Sequence, residues 1–346
     1  FQEAEGMKEA LHWSPLEFGK VACSLCGHNC KIPDGGHGLC RVRQNRGGKL
    51  WALTYGRYSG VSPDPIEKKP LYHFMPGTRT LSFGSVGCNL KCQFCQNYEI
   101  SNEWTLAQTR EVSADAISGM VARQGCQSVS WTYNEPTMWY EFTLDASRLL
   151  RKAGVPTIYV TNGYISEAPL RELAPSLDAM NVDVKAFTDE FYRTLTNGKL
   201  GKVLETCVLA KELGIWIELT NLVIPTKNDD EKDLRLFAKW VVEKLGQDVP
   251  VHFSRFHPDY KMLGLKNTPV ETLLRAHVIA KEEGLRNVYV GNVSSSAQEN
   301  TTCHACGTLL MARVGFHLAD KIPGKTACPK CGTEAAIIRK PKWLDD

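Results

Sequence analysis

Three cysteines, Cys88, Cys92 and Cys95, stand in the spacing C-x3-C-x2-C inside the stretch Phe83 to Ser101, FGSVGCNLKCQFCQNYEIS. Thiolates this close together can hold three irons of a [4Fe-4S] cube and leave the fourth iron without a protein ligand. A vacant iron is a place for chemistry. A zinc knuckle is the competing reading, but zinc favours C-x2-C pairs and a fourth ligand, and no further Cys or His follows nearby. Leu81 to Val86, ahead of the first cysteine, is apolar and β-prone. The loop is therefore expected to leave the C-terminal end of a strand, where barrel enzymes place their reacting groups. Phe94, directly before Cys95, is placed to pack beside the cluster and keep water away. Gln96 and Asn97, just after it, can bond a cofactor or the cluster sulfurs, with a helix N-cap as the structural alternative for Asn97.

Two further cysteine sets flank this one. Cys23, Cys26, Cys30 and Cys40, in CSLCGHNCKIPDGGHGLCRVR, have the spacing C-x2-C-x3-C-x9-C, with His28 and His37 as substitute ligands. Four thiolates of this kind make a closed tetrahedral zinc site stapling a stretch too short to bury a core. An auxiliary [4Fe-4S] cluster that passes electrons is the rival reading. Near the C-terminus, Cys303, Cys306, Cys328 and Cys331 form C-x2-C-x21-C-x2-C, each pair closed by glycine. Two knuckles joined by such a loop read as a zinc ribbon, with rubredoxin-like iron as the minority alternative. The ribbon is expected to be structural, or to dock a partner protein or RNA. Cys126 and Cys207 lie outside the sets and read as buried spectators.

Eleven of thirteen cysteines in tight sets, in a chain of 346 residues, point to metal binding in a reducing compartment rather than to disulfides. A net charge of +3 argues for neither DNA nor an anionic membrane as partner. No apolar run approaches the length of a membrane span and no signal peptide is visible, so a soluble, cytoplasmic protein is expected. Phe1 to Gly6 reads as an appended remnant ahead of Met7, a natural start.

The elements that must position these residues follow from an alternation of β-prone and helical stretches between Thr80 and about Asn292. Strands are expected at Leu81–Val86, Ser128–Thr132, Thr157–Thr161, Ala179–Val184, Trp216–Val223, Val249–Ser254 and Asn287–Val290. Helices are expected at Ser113–Arg123, Met138–Lys152, Lys202–Leu213, Asp229–Lys244 and Val270–Glu283. Such alternation builds an α/β fold with a parallel sheet, either open and doubly wound or a full or partial (β/α) barrel. The expected organisation is an N-terminal four-cysteine module (7–60), a proline-rich extended linker (61–79), the parallel α/β domain (80–296) and the C-terminal ribbon (297–346). Four prolines in VSPDPIEKKPLYHFMPG mark the linker.

The stretch GSVGCNLKCQFCQNYEIS resembles the radical S-adenosylmethionine (SAM) superfamily, which carries this spacing with an aromatic before the last cysteine. More narrowly, it is similar to the AmmeMemoRadiSam branch, related to the pyruvate formate-lyase activating enzymes that install glycyl radicals. The resemblance implies a six-strand partial TIM-type barrel, a [4Fe-4S] cluster on Cys88, Cys92 and Cys95, and reductive cleavage of SAM to a 5′-deoxyadenosyl radical. It implies hydrogen abstraction from a macromolecule, such as a glycine of a partner protein, with an electron donor such as flavodoxin or ferredoxin. Modification of RNA or a small molecule is the alternative, and a metal-binding scaffold without turnover is the non-enzymatic one. WTYNEPT maps onto the family's glycine-glutamate-proline motif, with Asn134 where a glycine is usual. There Asn134 and Glu135 present backbone carbonyls or a carboxylate to the cofactor's ammonium group. Thr161 and Asn162 in VTNGY, Asp183 and Lys185 in NVDVKAF, and His257 in SRFHPDY fall at successive strand ends. Lys185 is placed for the methionyl carboxylate and His257 for the ribose.

Overall fold

The computed structural model describes residues 7–293 and 297–345; the stretch Phe1 to Gly6, expected as a remnant, and the expected boundary at Ser294 to Ser296 lie outside the described residues. Eight strands form one sheet: β1 (Gly60–Pro65), β2 (Arg79–Gly84), β3 (Ser128–Trp131), β4 (Thr157–Thr161), β5 (Ala179–Asp183), β6 (Trp216–Val223), β7 (Val251–Arg255) and β8 (Val288–Gly291). Their spatial order is their chain order. β2 to β8 run parallel, and β1 pairs antiparallel with β2 at the edge. The helices α1 (Ala116–Arg123), α2 (Tyr140–Lys152), α3 (Glu167–Leu173), α4 (Leu200–Glu212), α5 (Glu231–Trp240) and α6 (Val270–Glu282) fill the crossovers. This is the mixed α/β architecture that strand–helix alternation dictates.

The two faces of the sheet differ in chemistry. One packs under the helices: Phe83 and Trp131 meet Trp139 and Phe142, all buried, with Trp131 and Phe142 rings 6.1 Å apart. Each such side chain contributes roughly 1.5–3 kcal/mol of burial. On the other face, neighbouring strands exchange polar contacts, Thr80 with Ser130 (2.7 Å), Thr220 with Asn181 (2.9 Å) and His252 with Glu218 (2.8 Å).

Residues 61–79, expected as a linker, supply the edge strand and then a buried plug. An edge strand has one unpaired side, so it accommodates Pro63 and Pro65, which lie opposite Leu81 and Arg79. Ile66, Leu71, Phe74 and Met75 then cluster with Ile158 and Ala179 at the N-terminal ends of the strands. Glu218, wholly buried, fixes this plug by accepting hydrogen bonds from the amides of Tyr72, His73 and Phe74 and from Trp216 Nε1. Burial alone would raise its pKa; the hydrogen bond and charge of His252 more than offset this and hold the carboxyl below its ordinary value.

The C-terminal module, with strands Thr301–Thr302, Leu309–Val314 and His317–Asp320, docks on the same end of the sheet. The Arg313 guanidinium donates to Tyr72 O (2.8 Å). Met75 N donates to Ile338 O, Ile338 N to His73 O, and the His73 ring bonds Ala336 O and the Tyr289 hydroxyl. At the opposite end, the N-terminal module is anchored by buried Arg43, which pairs with Glu141 of α2 and donates to Leu11 O (2.8 Å). Among the described residues, no helix is long and apolar enough to cross a membrane.

Glu218→Ala leaves three amides and two side chains without their acceptor. It is expected to destabilise the protein by about 3–5 kcal/mol, read as a fall in the urea midpoint, with Glu218→Gln intermediate; an unchanged midpoint would mean that the plug does not depend on this carboxylate.

Candidate active site

The ladder of β2 stops at Gly84 because the next amide is claimed by a side chain. Ser85 N donates to Asn134 Oδ1 (2.9 Å), and Asn134 Nδ2 donates to Gly87 O (2.9 Å). One amide from the loop after β3 thereby clamps both ends of the turn that delivers Cys88. Gly87 sits at φ +86°, and a methyl group there would come within 2.5 Å of Val42 Cγ1 and 3.1 Å of Cys40 O, so glycine is required. Further along the loop, Lys91 N and Gln93 N donate to Thr196 O and Leu195 O. Asn97 precedes the short helix Tyr98–Ser101 but does not cap it; its side chain donates to Tyr133 O (2.8 Å). Tyr133 is held at φ +71°, a strained conformation for an aromatic residue, in the turn that carries Asn134 and Glu135.

The three thiols lie on one loop, Cys92 buried and Cys88 and Cys95 half-buried. Burial pushes the Cys88 and Cys95 thiols up and Cys92 to about 12, and Cys88 and Cys92 are raised further by the charge of neighbours in the set. Buried thiols with this tendency stay protonated in water-like conditions and become thiolates when a metal takes them, so the donor set fits an iron-sulfur cluster. Cys88 Sγ also accepts from Leu90 N (3.4 Å) and Asn162 Nδ2 (3.6 Å). Hydrogen bonds to cluster sulfurs of this kind tune potential.

Lys185, at the end of β5, is brought to the same place. Its Nζ lies 3.0 Å from Asp183 Oδ2 and 5.8 Å from the centre of the Phe94 ring, which packs on Phe191. Burial disfavours its ammonium, but Asp183 and Cys92 more than offset this, and its pKa lies above the ordinary lysine value. Glu135, in contrast, turns its carboxylate inward: Oε1 accepts from Thr137 N, the Thr137 hydroxyl and the Thr161 hydroxyl, and Oε2 from Asn162 N. Glu135 and Thr161 therefore brace the ends of β3 and β4, and the carbonyls of the turn are what it has left to offer a ligand. Gln96 and His257 are exposed. The loop that carries His257 closes on the cysteine loop through Lys261 N to Gln93 O (3.0 Å) and a stack of Tyr260 on Tyr98 (4.6 Å).

Sequence reasoning passed over Asn89. It is wholly buried, accepts from Asn162 Nδ2 (2.8 Å) and donates to Tyr164 O (3.2 Å), joining the loops after β2 and β4 beside Cys88. A polar residue directly after the first cysteine was the available signal.

In the C-terminal module, the Sγ atoms of Cys303, Cys306, Cys328 and Cys331 all lie within 4.8 Å of one another. Cys303 and Cys331, and Cys306 and Cys328, are 3.6 Å apart. A tetrahedral ion with bonds of about 2.3 Å needs sulfur edges of about 3.8 Å, so this quartet fits a single ion. Cys126 and Cys207 are buried, apart from these sites.

With this geometry in view, comparison with known proteins decides the family. The Radical SAM superfamily profile matches residues 83–238. Uncharacterized protein MJ0808 of Methanocaldococcus jannaschii is 42% identical over 341 residues, covering 96% of this chain and all of that one. The chain belongs to the radical SAM superfamily. Within it, the pyruvate formate-lyase 1-activating enzyme of Escherichia coli is 25% identical over 230 residues, 60% of this chain and 91% of its own. A radical SAM methyltransferase from Sphaerobacter thermophilus shares the fold, with TM-score 0.50 and 20% identity over 68% of this chain and 71% of that one. The matched span begins at Phe83 and takes in the thiol loop, Asn134, Asn162 and Lys185, so this radical SAM enzyme carries its candidate site inside the segment that defines the superfamily.

Asn134→Ala unpairs the Ser85 amide and the Gly87 carbonyl, at a cost of about 1–3 kcal/mol for each group left unpaired. Iron retained per chain after anaerobic gel filtration is expected to fall below that of the wild type; equal retention would mean that the clamp does not shape the loop.

Proposed function

We propose that this chain reductively cleaves SAM at a [4Fe-4S] cluster on Cys88, Cys92 and Cys95 and directs the radical to a hydrogen of a partner protein, as activating enzymes do to a glycine. The observation that carries this reading is the placement of buried Cys92 and half-buried Cys88 and Cys95 on one loop beside Lys185 and Asn162, at the C-terminal ends of adjacent strands. When bound, the cluster supplies the single electron that breaks the sulfonium–carbon bond and so generates a 5′-deoxyadenosyl radical.

The protein's own tasks follow from its side chains. Lys185, fixed by Asp183, is placed to pair with the methionyl carboxylate. The Asn134–Glu135 turn, braced from within, offers carbonyls to the ammonium group. Asn162 orients at Cys88, and Phe94 shields the loop. Gln96, Asn97 and His257 lie around the mouth, where adenosine is expected. The open parallel sheet supports a partial-barrel reading, with a seventh parallel strand and an antiparallel edge strand beyond the six implied by resemblance.

Likeness to activating enzymes supports a protein substrate, with flavodoxin or ferredoxin as donor. The polar inner face of the sheet favours, as the second reading, a polar small molecule. The C-terminal quartet is read as a zinc ribbon with a structural role, because it docks at the N-terminal ends of the strands, away from the thiol loop. Unpaired thiols throughout the chain support a reducing, cytoplasmic setting.

Anaerobic protein given dithionite and SAM is expected to release 5′-deoxyadenosine, and Cys92→Ala to release none. Lys185→Ala is expected to raise the Kd for SAM about tenfold or more with iron content unchanged. A wild-type protein that binds iron at this site yet yields no 5′-deoxyadenosine would overturn the proposal.

A further inference from the structure

The N-terminal quartet does not stand apart from the thiol loop. His28, between Cys26 and Cys30, donates from Nε2 to Asn89 O (2.7 Å), and Asn89 follows Cys88 directly. Gly27 N donates to Tyr164 O (3.4 Å), Leu25 O accepts from Ser166 N (3.0 Å), and Cys26 bridges Ile165, all on the loop after β4 that also carries Asn162. Cys40 O and Val42 pack against Gly87 so closely that a methyl group there would overlap them. The module thus grips the two loops that hold Cys88 and Asn162. A covalent and hydrogen-bonded route between the sites runs Cys26, Gly27, His28, Asn89, Cys88.

The other end of the module reaches solvent. Cys30 is half-buried in the wall of a shallow concavity of about 570 Å³, beside exposed Lys31, His37, Leu39 and Arg41. A cationic rim with one apolar side chain suits an acidic protein surface. Cys23, Cys26, Cys30 and Cys40 lie close enough for their charges to act on one another. Yet among the described residues the C-terminal quartet is the one set drawn within 4.8 Å. The looser N-terminal set shares that property with the Cys88 loop, and a cube, whose irons separate its thiolates, needs wider sulfur spacing than one ion. Buried Arg43 donates to Cys23 Sγ (3.8 Å), a cationic bond suited to a thiolate cluster.

We propose that Cys23, Cys26, Cys30 and Cys40 hold a second [4Fe-4S] cluster that relays an electron from an acidic one-electron carrier protein to the cluster on Cys88, Cys92 and Cys95. This rests on the proposed function for its destination. The carrier is oxidised by one electron as it reduces the outer cluster; that cluster returns to its oxidised state as it reduces the inner one. No proton or bond is exchanged. A structural zinc site would need neither the surface concavity nor the path to Cys88.

Two measurements test this on full-length protein isolated without oxygen. Wild type is expected to carry about eight irons per chain, and Cys26→Ala and Cys92→Ala about four each. In Cys92→Ala the remaining iron is expected to give a reducible [4Fe-4S] electron paramagnetic resonance signal. Then 5′-deoxyadenosine formation is compared with reduced flavodoxin and with dithionite as donor. His28→Ala and the double reversal Lys31→Glu/Arg41→Glu, both folded with wild-type iron, are each expected to lower the ratio of flavodoxin-driven to dithionite-driven rate about tenfold. Four irons in wild type with two zinc ions, or an unchanged ratio in both variants, would overturn the relay. Iron lost from the Cys88 site, or no cleavage with either donor, would instead sink the proposed function and leave the iron count of Cys92→Ala to judge the outer cluster.

Discussion

A loop that must aim three thiols at one point has no ladder of its own to hold it, and here neutral amides take that task. Asn134 closes the turn before Cys88, Asn89 and Asn162 lock together beside it, and Asn97 ties the far end to Tyr133. An amide offers both donors and acceptors, so a single side chain can satisfy an amide and a carbonyl at once. It also adds no net charge next to sulfur ligands whose own charge is already confined by burial. Loss of the Asn134 bonds leaves a buried amide and a buried carbonyl unpaired, and loss of the Asn89–Asn162 bond leaves buried side-chain groups unpaired, which is why the loop's shape is bound to the sequence of the loops after β3 and β4.

Charge near the thiols is handled in matched pairs. Lys185 with Asp183 stands by Cys92, and Arg43 with Glu141 stands by Cys23. Each set thus has a cation beside sulfur, wholly buried for Arg43 and largely covered for Lys185, and a carboxylate that makes that cation tolerable. The arrangement lets a cysteine set gain negative charge on metallation without a bare positive charge waiting in the core. It also places both sets on the side of the sheet away from the plug built on Glu218.

Much of this was legible in the chain. The strands Thr157–Thr161 and Trp216–Val223 have the bounds that their β-branched and aromatic runs indicate, whereas Asp-x-Lys by itself reads as a solvated ion pair and singled out Lys185 only through the family resemblance. Proline obscured β1, because propensity cannot tell an edge strand from a linker; only pairing with β2 does. Helix α3 escaped notice because Pro169 interrupts a short run. The inward turn of Glu135 was hidden for a different reason: beside nearby Thr137, its partners Thr161 and Asn162 are supplied by the adjacent strand end, not by neighbours in sequence. The same holds for His28, which read as a spare ligand and instead bonds a carbonyl far along the chain.

The lower end of the sheet is completed late. Tyr72 to Met75 are held by Glu218 and Tyr289 and then by Arg313, Ala336 and Ile338, far along the chain. Until that segment has been made, the nascent chain already exposes the seven thiols of the first two cysteine sets but lacks the floor beneath them. Synthesis and docking of that segment are therefore the step that seals the domain, and chains cut short before Arg313 would reach the cell's proteases with that floor open.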